Sequence, residues 1–155
     1  MNAITMLTDD HRDVKRLLDE LETTTERGVK TRHELFERIK ELLTVHETIE
    51  EEIFYPALRE HPKTKEIALE GYEEHDVVDL IMGELATLPT DDQTWGPKAK
   101  VMTENLRHHI EEEEGDMFVK TRQVFDADEL AELGERMEAR KLTASKELGI
   151  PIPAR

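Results

Sequence analysis

The chain has 155 residues, a formal net charge of −16 and no cysteine. That length is enough for one domain with its own core, and the missing thiols exclude disulfides, thiolate zinc sites and iron–sulfur clusters. The acidic balance argues against nucleic acid and membrane surfaces as partners, because both call for cationic patches.

Nearly the whole chain carries a helical apolar period under a charged exterior. A first helix is predicted over about residues 2–27, with Ile4, Leu7, His11, Val14, Leu18 and Leu21 on one side and Gly28 as the break. A second, over about 30–59, has the stripe Leu35, Phe36, Ile39, Leu42, Leu43, His46, Glu50, Ile53 and Phe54, with a kink expected at Pro56. Pro62 suits the first turn of a third helix that runs to about residue 88 and carries Ile67, Ala68, Tyr72, His75, Met82 and Leu85. Residues 89–92 read as a loop. A fourth helix follows over about 95–122, with Met102, Leu106, His109, Glu113 and Met117 inward. Asp126 and Glu129 form a capping-box pattern for a shorter fifth helix to about residue 148. The segment 149–153, with its glycine and two prolines, cannot continue it. The expected fold is all-α, a four-helix up-and-down bundle with a short fifth helix. No apolar run approaches the roughly 20 residues of a membrane span. The start MNAITMLTDDHRD lacks the marks of a secretory signal, so a cytoplasmic protein is expected.

The stretch HETIEEEIFYP at 46–56 and the later HHIEEEEGDMF at 108–118 hold the chemistry. Histidine and glutamate one turn apart converge on a point beside a helix. With 37 acidic residues among 155, that spacing is common by chance, and five of the seven histidines show it. Facing separates them. His46 and Glu50 project within about 40° of each other, inside an apolar stripe where a carboxylate is costly unless protonated, paired or bound to a cation. Glu47 lies on the shoulder of that stripe. His33 and Glu37 fall off their stripe, and His61 sits in a loop, so all three are expected at the surface. His11 and His75 add one inward histidine from each remaining helix. Imidazole and carboxylate without sulfur suit iron first, manganese second, or zinc. Three carboxylates beside four histidines suit a pair of redox-capable ions bridged by Glu50 and Glu113, with no catalytic residue beyond the metal centre.

These motifs resemble the hemerythrin-like, or HHE cation-binding, domains: His11 on the first helix, His46 and Glu50 with E-x-I-F-Y-P trailing, His75 after Glu74, and His109 with Glu113. The resemblance covers residues 1 to about 122, and implies a metal-binding bundle over 1–122 with 123–155 as a C-terminal extension. It implies two iron ions in a non-haem centre of the Fe-O-Fe type. His11 and His46 would hold one ion and His75, His109 and Glu47 the other, with Glu50 and Glu113 bridging. The oxygen carriers of the family have a further histidine where this chain has Asp79, which is either a ligand or, as the favoured expectation, a group that holds the His75 ring from behind. His108 is either another such group or an exposed side chain. The fifth helix is similar to that of stand-alone bacterial hemerythrin-like proteins, some of them associated with catalase-like decomposition of hydrogen peroxide. Peroxide disproportionation is therefore the leading functional expectation. A module that binds or senses dioxygen, nitric oxide or iron without turnover is the alternative, and a ferritin-like oxidase a third. Tyr55, Tyr72 and Trp95 read as core.

Overall fold

Asn2 begins the first helix by accepting a hydrogen bond from the Thr5 amide at 2.8 Å. The computed structural model describes residues 1–151. Helix α1 spans Ala3–Glu22. It stops short of the expected end because the hydroxyls of Thr23 and Thr24 bond back to the carbonyls of Glu20 and Leu21, competing with the backbone. Helix α2 (Val29–Ile49), a π turn (Glu50–Phe54) and α3 (Tyr55–Arg59) form a second rod. Pro56 cannot donate to the helical ladder, and its ring would crowd the carbonyl a turn back. Just before it the winding loosens, so that the Tyr55 amide bonds the Glu50 carbonyl. The third rod is α4 (Pro62–Thr87), entered through Pro62. The fourth is α5 (Trp95–Glu112), a second π turn (Glu113–Met117) and α6 (Phe118–Val124).

Helix α7 (Ala127–Glu147) starts with the expected capping box between Asp126 and Glu129. It ends in a Schellman motif. Gly149 takes the left-handed φ of 67°, its amide bonds Lys146 O, and the Ile150 amide bonds Ser145 O. Only residues 149–151 of the expected tail lie among the described residues. Gly134 lets the N-terminus cross α7, since a Cβ there would collide with the Met1 carbonyl. Among the described residues there is no strand, and no helix is long and apolar enough to cross a membrane.

Two apolar clusters fill the bundle. One gathers Val14, Leu18, Ile39, Leu43, Met82, Trp95, Met102 and Leu106. The other gathers Leu7, Ile49, Phe54, Leu58, Met117 and Phe118 with Leu130, Leu133 and Met137 of α7. On each of the four long rods the inward polar residues fall at the boundary between them: His11 after Leu7, His46 after Leu43, His75 after Ala68, and Glu113 before Met117. The fold therefore places a polar layer across the middle of an otherwise apolar core.

Candidate metal centre

Within that layer, His11 on α1 faces His46 on α2 with ring centroids 5.0 Å apart. His75 on α4 faces His109 on α5, also at 5.0 Å. Glu50 Oε1 lies between the two pairs, 3.0 Å from His46 Nε2 and 3.2 Å from His75 Nε2. Glu113 Oε1 spans them as well, 3.2 Å from His11 Nε2 and 3.1 Å from His109 Nε2. Each glutamate opens one of the two π turns, an irregularity that often marks functional sites.

All six side chains are buried. Even so, Nε2 of His11, His46 and His109, both oxygens of Glu50 and Glu113 Oε1 have no hydrogen-bond partner, their close approaches being poorly angled. Each such buried atom costs about 1–3 kcal/mol. A cation satisfies histidine nitrogen and carboxylate oxygen together, so the residues fit a metal. Two donor groups come within mutual reach here: His11, His46, Glu50 and Glu113, and Glu50, His75 and His109.

The far side of every ring is fixed by a carboxylate. The Nδ1–H of His11 donates to Glu114 at 2.7 Å, that of His46 to Asp10 at 3.0 Å, that of His75 to Glu51 at 2.9 Å and that of His109 to Glu74 at 2.9 Å. A proton held on Nδ1 leaves Nε2 as the lone-pair donor, which is how metal-binding histidines are oriented. Sequence reasoning missed these four roles. The available signal was adjacency: Asp10 and Glu74 precede inward histidines, and Glu51 and Glu114 follow the two inward glutamates.

The remaining candidates divide. Glu47 is buried beside His75 and Glu51, within ligand reach of both. Its burial and a hydrogen bond with Asp79 push its pKa up to about 9. Asp79 therefore pairs with Glu47 and does not hold His75, whose Nδ1 is already taken by Glu51. His108 is exposed and pairs with Glu112, away from the centre. His33 is exposed as expected, whereas His61 is half-buried with its ring against Phe125. Val14, Leu43, Val78, Leu106 and Ile110 roof the histidines over a cavity of about 10 Å³, close to one water-sized sphere.

Tyr55 is core, as expected, and also part of the site: its wholly buried hydroxyl donates to Glu113 Oε2 at 2.8 Å. Gly71 makes room for it, because a Cβ there would lie 2.7 Å from Tyr55 Cζ. Gly71→Ala is expected to destabilise the protein by about 1–3 kcal/mol, as overpacking of a buried ring does. A urea titration checks this through a lower midpoint at unchanged slope; an unchanged midpoint would mean the ring yields freely.

The sequence matches the Hemerythrin HHE cation binding domain over residues 2–121. The chain belongs to that family. As a member, it is a metal-cation-binding helical bundle. Among solved structures, this hemerythrin-like chain is similar to a hemerythrin HHE cation binding domain-containing protein from Mycobacterium kansasii, at 27% identity and a TM-score of 0.83, over 95% of this chain and 89% of that one. That coverage reaches beyond residue 121 into α7. No curated protein matches the sequence significantly.

Proposed function

We propose that this hemerythrin-like protein holds two iron ions, with manganese the second choice, and uses them to disproportionate hydrogen peroxide. His11 and His46 would hold one ion, His75, His109 and Glu47 the other, and Glu50 and Glu113 would bridge. Residues 1–122 would form the metal-binding unit and 123–155 an extension laid upon it. The observation that carries this reading is the set of buried histidine nitrogens and glutamate oxygens with no hydrogen-bond partner, shared between two facing pairs of rings. Two iron ions held there would supply a two-electron couple, with which two molecules of hydrogen peroxide would give two of water and one of dioxygen with no outside reductant.

The chain's own part is positional and electrostatic. The four carboxylates behind the rings hold each Nε2 toward the centre. The apolar roof keeps bulk water off. Glu47, raised by burial and by its hydrogen bond with Asp79, would supply an anionic oxygen when it gave up its proton on metal loading. A third carboxylate favours the more highly charged metal state, which suits turnover better than reversible carriage of dioxygen.

The test is oxygen evolution from peroxide by iron-loaded protein. One dioxygen per two peroxides is expected, with the rate at least about tenfold lower in Glu50→Ala. A stable dioxygen or nitric oxide adduct without turnover would instead favour the binding or sensing module.

A further inference from the structure

The two halves of the centre sit in different fields. Behind His46, Asp10 uses its other oxygen to accept from Lys141 of α7 at 2.7 Å. Behind His11, Glu114 has Lys15 3.9 Å away. The carboxylates behind the other pair, Glu51 and Glu74, have no lysine or arginine within ion-pair reach among the described residues, and neither do Glu47 and Asp79 beside them. Glu112 also bonds Glu74. One half thus carries carboxylates offset by lysines, while the other carries extra carboxylates and no offsetting cation. Both halves share Glu50 and Glu113, so the difference arises from the surroundings of the rings.

We propose that the two cation positions fill in order, first at His75, His109 and Glu47 and then, more weakly, at His11 and His46, and that Lys141 of the fifth helix sets this difference through Asp10. The inference rests on the dinuclear reading above. Attraction between a cation and fixed charges falls with distance and with dielectric. A lysine separated from an ion only by one carboxylate and one imidazole opposes it directly, and the carboxylates of the other half attract. Lys141 is thus a positioning residue of the centre contributed by α7.

Cobalt(II) alone, titrated into the metal-free full chain and followed by calorimetry and visible absorption, tests this. Two steps are expected. His11→Ala should lose the weaker step and keep the tighter, and His109→Ala the reverse. Lys141→Met should tighten the second step by roughly three- to tenfold, the effect of one charge at such a range in a partly buried site, and leave the first unchanged. Lys141→Arg should behave as the parent. Arg140→Met removes a neighbouring charge on α7 that pairs with Glu52 of the second rod and with Glu147 of α7, without an ion pair to Asp10. It should leave both steps alone, which separates the role of Lys141 from mere docking of α7. Two equal steps, a shift in neither or both steps of Lys141→Met, or the same shift in Arg140→Met, would overturn the inference. Failure of any form to bind cobalt would overturn the dinuclear reading beneath it, and is seen separately.

Discussion

Stripping the metal is expected to lower the melting temperature of this protein by about 8–16 °C, and His46→Ala to melt below the stripped parent. The histidine nitrogens and glutamate oxygens at the centre are buried and without hydrogen-bond partners, so the metal-free fold carries desolvated polar atoms that a bound cation would satisfy. An ion present at about a thousandfold over its dissociation constant adds roughly 4 kcal/mol to the folded state, and a domain of this size reads each kcal/mol as about 2–4 °C. His46 is the most informative single ligand to remove. Its Nε2 faces Glu50 and its Nδ1 faces Asp10, so alanine takes away a donor and leaves two buried carboxylates with less compensation. Metal analysis of iron-replete protein should give close to two ions per chain for the parent and a marked loss in the variant. Added iron should then raise the melting temperature of the parent alone. A parent that melts at the same temperature with and without chelator, and holds no stoichiometric metal, would remove the basis of the reading.

The helical bundle was legible because its apolar stripes are long and regular, and the inward histidines could be picked out because each interrupts such a stripe. Other features left no periodic trace. The two π turns each add a residue to the winding, and a projection at a constant angle hides that; only Pro56 hinted at the first. The carboxylates behind the rings come from another rod in all four cases, and from 103 residues away in the case of Glu114. Among 37 acidic residues they look like solvated surface. Asp79 lies one turn after His75 as its spacing required, yet it is exposed; Glu51 takes His75 Nδ1, and Asp79 bonds Glu47 instead. The link from Lys141 to Asp10 spans 131 residues, and nothing in the local pattern of α7 announces it.

The metal-free protein is expected to lose stability as pH rises from about 6.5 toward 10, while its affinity for metal grows over the same interval. Burial works against a charge on His75, but the Glu50 and Glu51 carboxylates outweigh it and hold its pKa up at about 10. Burial likewise opposes His109, and Glu113 and Glu74 raise it to about 11. His11 and His46 are raised in the same way, against burial, by Glu113 and Glu114 and by Glu50 and Asp10. A histidine raised from 6.5 contributes stability that is whole below 6.5 and gone above its folded value. Glu47, raised from 4.5 to about 9, adds a decline of the same sign across that range. The opposite slope lies at acid pH. Burial would raise Asp10 and Glu113, but their histidine partners, with Lys141 for Asp10, hold both below the usual carboxylate range, so their contribution is lost as pH falls through it. The metal-free optimum should therefore fall near pH 5–6. Four protonated imidazoles carry the same charge as two divalent cations, so protons and metal are competing ways of neutralising one buried set of carboxylates. Loading the metal must release protons, and the loaded protein should be spared the alkaline decline. Melting temperatures with and without chelator at pH 6 and pH 9 check this: the gap should widen at the higher pH. A gap that stays constant, or a chelated protein more stable at pH 9, would mean that the imidazoles are already neutral in the metal-free fold and that protons do not occupy the place of the ions.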